Sequence, residues 1–237
     1  DMVTGYDKNT TGMQTLTVTY LTYTTTFNVT VSDLAVMFDS KGGSAVDTTY
    51  TAHNTTITKP DDPTRTGYTF AGWYKESACV NAWNFTADIV TTPITLYSKW
   101  NVCSYNVSYN SNGGGEIAGI TANYDTLISA PTTPMREGYT LTAWCADEAL
   151  TDVWNFAADK IPANDITLYA KWTPNIYTVT FSSNGGSAAA AVNASYATTI
   201  AQPAVPTKTG HSFAGWYKNA ALTNYWNFDS DTIPAGN

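Results

Sequence analysis

The residues of this chain that could do chemistry are few, and their spacing is poor for it. There are two histidines, His53 and His211, in 237 residues. General-base or triad chemistry needs a histidine oriented by a partner group. His211 falls where other units of an internal repeat carry Tyr68 and Tyr139, so it replaces an aromatic residue. His53 has no counterpart in the repeat. Cys79, Cys103 and Cys145 occupy three different repeat positions. That excludes a repeated disulfide or zinc site, and no Cys-x-x-Cys spacing occurs. A single bridge, Cys79–Cys103, is the remaining candidate.

Asp88, Asp159 and Asp231 do recur. Oxygen ligation of calcium is one reading, but no Asp-x-Asp-x-Asp-Gly loop surrounds them. They read instead as caps of a short helical turn. Lys99 and Lys171 precede a recurring tryptophan and read as exposed strand lysines; a Lys–Asn crosslink would need a buried lysine with an acid beside it. Asn-x-Ser/Thr sequons stand at Asn9, Asn28, Asn54, Asn84, Asn106 and Asn193. With 41 threonines such matches arise by chance, so they carry little weight. The expectation is a chain with no catalytic, cofactor-binding or metal-ligating residues, and not an enzyme.

Composition narrows the classes further. Net charge is −8, and the 11 Lys and Arg form no run. The basic footprint that nucleic-acid binding requires is absent. Charged residues make up 13%, against about 25% in typical soluble domains. Threonine alternating with Val, Tyr and Phe fills the space, which is a strand signature. No apolar run approaches the roughly 18 residues of a membrane span.

The elements that would position any site come in a tandem repeat. The tryptophans 73, 144 and 216 recur at steps of 71 or 72 residues. Trp-Asn-Phe recurs at the same steps, as Trp83 to Phe85, Trp154 to Phe156 and Trp226 to Phe228. Ile94-Thr-Leu-Tyr-Ser-Lys-Trp100 returns as Ile166-Thr-Leu-Tyr-Ala-Lys-Trp172. All eight Trp fall on three repeat positions. Recurrence at fixed positions marks core filler. The predicted core is therefore Trp73, Trp83, Trp100, Trp144, Trp154, Trp172, Trp216, Trp226, Phe85, Phe156 and Phe228.

Each unit opens on an alternating run, Val36-Met-Phe38 and its copies, whose apolar residues share one strand face. A glycine pair (Gly42 and Gly43, Gly113 and Gly114, Gly185 and Gly186) then predicts a hairpin turn. A second strand follows near 48–57, 120–128 and 192–200. Pro60 and Pro63, with their copies, forbid a central strand and predict an extended connector. A third strand carries Tyr68-Thr-Phe-Ala-Gly-Trp-Tyr74. The closing strand is Ile-Thr-Leu-Tyr-x-Lys-Trp, with Ile and Leu on one face and Thr, Tyr and Lys on the other. So small a unit needs dense burial. A tryptophan burying roughly 150–250 Å² contributes at most about 4–6 kcal/mol.

The pattern from Val-x-Phe-x-x-Asn-Gly-Gly through Gly-Tyr-x-Phe-x-Gly-Trp-Tyr and Trp-Asn-Phe to Ile-Thr-Leu-Tyr-Ala-Lys-Trp resembles the Listeria–Bacteroides repeat, also called the internalin-type B repeat. That resemblance implies a mainly β, β-grasp-like unit of α+β type, with first and last strands parallel at the sheet centre. It also implies a place in bacterial surface proteins and no catalytic residues. Residues 1–33, with Thr11-Gly-Met-Gln-Thr-Leu-Thr-Val-Thr-Tyr20 and Thr26-Phe-Asn-Val-Thr-Val31, look like the last two strands of a bacterial Ig-like β-sandwich. The expected domains are a partial Ig-like domain over 1–33 and three tandem repeats of about 72 residues over 34–101, 102–173 and 174–237. The third lacks its closing strand.

The functional expectation is a non-enzymatic module of the bacterial cell surface or cell wall, acting as stalk or spacer of an adhesin-like protein. Its expected partners are a host or matrix protein or a glycan, held weakly and multivalently. Self-association is the other candidate, through an extracellular filament or sheath built by strand exchange. A carbohydrate-binding module ranks behind both.

Overall fold

The computed structural model describes residues 2–7 and 10–236. The sequon at Asn9 lies outside them. The chain divides into two compact units: residues 1–104 with 123–125, and residues 105–122 with 126–237. Among the described residues every regular element is a strand. The protein is mainly β, and the helical component of an α+β unit is not found among the described residues.

Unit 1 begins with a three-stranded antiparallel sheet in the order β1 (Met2–Thr4), β2 (Gly12–Tyr20), β3 (Tyr23–Val31). The sequence reading missed β1 because three residues are too few to show alternation. Repeat 1 then builds a four-stranded sheet from β4 (Leu34–Asp39), β5 (Thr49–Thr51), β6 (Tyr68–Tyr74) and β7 (Ile94–Val102). The order is β5-β4-β7-β6. The first and last strands run parallel at the centre, with Val36 opposite Ile94 and Phe38 opposite Leu96. β6 lies antiparallel to β7 and carries a bulge between Phe70 and Trp73. The extra residue puts Phe70 and Trp73 on one face, where their rings meet edge-on at 5.5 Å.

Unit 2 repeats this arrangement. β8 (Ser104–Asn110), β9 (Ile120–Asn123), β10 (Tyr139–Cys145) and β11 (Ile166–Pro174) form a sheet in the order β10-β11-β8-β9. β11 again pairs in parallel with β8, Ile166 with Val107 and Leu168 with Tyr109. Repeat 3 keeps only the hairpin of β12 (Ile176–Val179) and β13 (Val192–Ser195). Among the described residues, 212–216 joins no ladder. Val179, Phe181, Phe213 and Trp216 line an open groove of about 760 Å³.

The second strands are shorter than the sequence suggests. They end two or three residues before a residue with positive φ: Asn54 at 64°, Asp125 at 61° and Ala197 at 58°. The glycine pairs do reverse the chain, as Gly43 N–H donates to Ser40 O at 2.9 Å. The connection nevertheless runs on through 40–48, so it is a long loop rather than a tight hairpin.

The core of repeat 1 is Val36, Ile57, Trp73, Val90 and Leu96; that of repeat 2 is Val107, Ile128, Trp144, Ile161, Leu168 and Ala170. The first tryptophan of each unit is buried. Trp83, Trp100, Trp154, Trp172 and Trp226 are half-buried, as are Phe85, Phe156 and Phe228. Trp100 and Trp172 close the turn, their indole N–H groups donating to Ser40 O at 2.9 Å and Ser111 O at 2.8 Å. Ser98 lies on the buried face of β7 with its hydroxyl unpartnered, where repeat 2 has Ala170. An orphaned buried hydroxyl keeps its desolvation cost. Ser98→Ala should therefore raise the stability of repeat 1 by about 1 kcal/mol, read as a higher midpoint in denaturant melts.

Candidate functional site

The residues that the sequence offered for chemistry are scattered. Among the described residues no group of three or more His, Cys, Asp or Glu could hold a metal ion. All three cysteines are free, so the Cys79–Cys103 bridge is not formed. Cys79 sits in a left-handed turn (φ 53°) that Leu150 and Leu222 share. Cys145 is fully buried, and burial pushes its thiol pKa up, which makes it a poor nucleophile. Lys99 and Lys171 donate to the carbonyls of Cys79 and Leu150 at 3.4 and 3.0 Å.

The recurring aspartates cap no helix. Each closes the Trp-Asn-Phe turn from its far side, accepting the asparagine N–H: Asn84 to Asp88 at 2.8 Å, Asn155 to Asp159 at 2.6 Å, Asn227 to Asp231 at 2.7 Å. In repeats 1 and 3 a lysine joins them. Lys75 and Lys218 each place Nζ 2.8 Å from the aspartate Oδ1. The same ammonium lies 5.7 Å from the Trp83 ring and 5.4 Å from the Trp226 ring, within cation–π reach.

The Asn84 N–H and then Lys75 hold Asp88 below its ordinary pKa; Lys218 and then the Asn227 N–H do so for Asp231. A carboxyl with a depressed folded pKa stabilises the fold above its unfolded value, here 3.8, and that contribution is lost as pH falls through the lower folded value. Asp88→Asn should thus lower Tm at pH 7, and the deficit against wild type should close towards about pH 2. A deficit independent of pH would contradict this.

The feature that sequence reasoning missed is the joint between consecutive repeats. β11 passes into β12 through one residue, Asn175. Its N–H donates to Gly138 O of repeat 2 and its carbonyl accepts the Tyr196 N–H of repeat 3, both at 2.8 Å. The Tyr196 ring lies against buried Gly138 and edge-on to Tyr139 at 5.4 Å. The guanidinium of Arg136 stacks on Tyr139 at 4.0 Å. Unit 1 holds the same constellation. Cys103 donates to Gly67 O and accepts from Tyr124 N–H, both at 2.9 Å. Tyr124 lies against Gly67 and edge-on to Tyr68 at 5.9 Å, and Arg65 stacks on Tyr68 at 4.0 Å. The glycines have φ of +76° and +75°, and a β-carbon on either would enter the tyrosine ring. In repeat 3 Gly210 keeps φ +76° with nothing within 4 Å of its β-carbon position.

This geometry revises the reading of His53 and gives His211 a place. His53 does have counterparts: it precedes the positive-φ residue Asn54 as Tyr124 precedes Asp125 and Tyr196 precedes Ala197. It is thus the tip residue of repeat 1. His211 stands in the position of Tyr68 and Tyr139, next to the open glycine. The signal in the sequence was the recurrence of Gly-Tyr after an arginine, together with a tyrosine just past the second strand.

Comparison with known proteins agrees with this organisation. The Listeria-Bacteroides repeat domain matches residues 35–99, 105–171 and 177–237. The bacterial Ig-like domain (group 3) matches residues 1–31. A Gly-rich membrane protein of Evansella cellulosilytica is 41% identical over 84% of this chain, and a second membrane protein of that organism matches equally. Internalin H of Listeria monocytogenes is 41% identical over 52% of the chain. The aligned regions span 23%, 30% and 22% of those relatives.

Proposed function

Because the chain belongs to the Listeria-Bacteroides repeat family, we propose that it works as a load-bearing spacer in a bacterial surface protein, a non-enzymatic stalk of an adhesin-like molecule. One observation carries this reading. The first and last strands of repeats 1 and 2 are parallel neighbours, β4 with β7 and β8 with β11. Tension along the chain enters a repeat at its first strand and leaves at its last. It therefore acts along the parallel ladder and loads the hydrogen bonds together rather than one at a time. Between repeats 2 and 3 the joint at Asn175 continues that path with a single residue between strands. The likeness to membrane proteins and to an internalin supports placement on the bacterial cell surface or in the cell wall. Weak contacts with host or matrix protein or glycan would gain by avidity from tandem copies.

Single-molecule pulling between the chain ends tests it with an internal control. Among the described residues repeat 3 forms no parallel pair, so it should yield first, at low force. Repeats 1 and 2 should then give two force peaks of similar, higher height. Low and equal forces for all three would overturn the reading.

A second reading is assembly of a filament or sheath by insertion of a strand from another chain, since unpaired strand edges recruit strands. Light scattering at micromolar concentration separates the two: a monomer supports the spacer, and a growing assembly supports strand exchange.

A further inference from the structure

The Trp-Asp cradle is built three times, and in one copy its lysine is missing. Lys75 and Lys218 correspond to Ala146 in repeat 2. The backbone there is the same: Lys75, Ala146 and Lys218 donate N–H to Asn81, Asp152 and Asn224 carbonyls at 2.9, 2.8 and 2.7 Å. Trp83, Trp154 and Trp226 likewise donate N–H to Trp73, Trp144 and Trp216 carbonyls at 2.8, 2.8 and 2.9 Å. Asp159 closes its turn as Asp88 and Asp231 do. What differs is the ammonium. Where Lys75 and Lys218 lie over their indoles, Ala146 leaves an open recess of about 440 Å³ bounded by Trp154, Asp152, Asp159 and Lys160.

The charge has also changed. Asn81 and Asn224 are neutral, whereas the third copy has Asp152. Loss of a lysine and gain of an aspartate make the cradle more negative by two charges than its sisters. Lys160, which stands where they have Ile89 and Thr232, returns one at the rim. An aromatic face beside carboxylates attracts a cation. The sister repeats show which cation fits, a primary ammonium on an alkyl chain.

We propose that the Trp154 recess of repeat 2 binds a lysine side chain of another polypeptide, its ammonium taking the place that Lys75 and Lys218 hold in their own repeats. The site is independent of the spacer reading and survives its failure. It makes repeat 2 a point of lateral contact, with repeats 1 and 3 closed to the same ligand by their own lysines.

The test is titration of the full chain with a capped lysine, Nα-acetyl-lysine-N-methylamide, watching the indole N–H resonances by NMR. Trp154 should shift and saturate, with half-saturation on the order of 10 mM, a weak single-contact affinity. Trp83 and Trp226 should stay in place. The Nε-acetylated analogue, which has lost the charge, should leave Trp154 unmoved. Ala146→Lys should fill the cradle, abolish the Trp154 shift and keep or raise Tm. No Trp154 shift by about 100 mM, ten times that half-saturation, would overturn the proposal. So would equal shifts at all three indoles, an equal response to the acetylated analogue, or an unchanged titration in folded Ala146→Lys. Tighter binding of glucosamine than of capped lysine would overturn the assignment to a polypeptide.

Discussion

Trp144→Ala is expected to destabilise repeat 2 by about 3–5 kcal/mol, the range for truncating a buried aromatic side chain. The ring is 5% exposed and sits in the cluster of Val107, Ile128, Ile161, Leu168 and Ala170. It also meets Tyr109 edge-on at 5.3 Å, and that contact adds to its area burial. Small repeats have little reserve, so a loss of this size should leave repeat 2 largely unfolded at 37 °C. Tyr109, whose pKa burial raises, should then titrate near its ordinary value. Denaturant melts followed through the remaining indoles give the number. A loss under about 1 kcal/mol would mean that the ring does not hold the repeat together.

Gly138→Ala is the second large effect. Its β-carbon would enter the Tyr196 ring, and φ is +75°. The left-handed conformation alone costs about 1–2 kcal/mol. Gly210→Ala measures that part by itself, because Gly210 has the same φ (+76°) and nothing within 4 Å. Gly210→Ala is expected to cost about 1 kcal/mol and Gly138→Ala about 1–3 kcal/mol more, the typical cost of overpacking a filled contact. Equal costs for the two would show that Tyr196 does not press on Gly138 in solution.

The fold was legible where spacing carries physics. Tryptophans recurring at fixed repeat positions gave the repeat, and alternation in Ile94-Thr-Leu-Tyr-Ser-Lys-Trp100 gave a strand whose inward residues Leu96 and Ser98 are buried. The central parallel pair came from family resemblance alone, since no pattern within one strand encodes its neighbour. The short helical turn expected after Trp-Asn-Phe is a single turn, the Asn84 carbonyl accepting the Ala87 and Asp88 N–H groups at 3.1 and 2.8 Å. The same Asn and Asp that would cap a helix can satisfy a turn by themselves, Asn84 Oδ1 accepting the Thr86 N–H at 3.0 Å while Asp88 takes that of Asn84. Second strands came out shorter because the expected runs continued past Asn54, Asp125 and Ala197, and a positive φ at a non-glycine residue is not visible in the sequence.

The joint stayed hidden for a different reason. Gly138, Tyr139 and Arg136 sit together in sequence, but Tyr196 comes from the next repeat, and a contact between repeats leaves no period within one. That the two histidines belong to one kind of joint was hidden for the same reason. They hold the tip and socket positions of the joint, His53 at the tip of repeat 1 and His211 at the socket of repeat 3. In repeat 2 the missing lysine of the Trp-Asp cradle was likewise readable only once Lys75 and Lys218 were seen to do the same thing.

The most direct measurement is of residual dipolar couplings for backbone amides of repeats 2 and 3 in the full chain, weakly aligned. If Asn175, Gly138 and Tyr196 lock the two repeats together, one alignment tensor will fit both in the wild type, and Gly138→Ala will need two. Separate tensors in the wild type would mean that the joint does not hold neighbours in register, and the spacer reading would lose its continuous path for load.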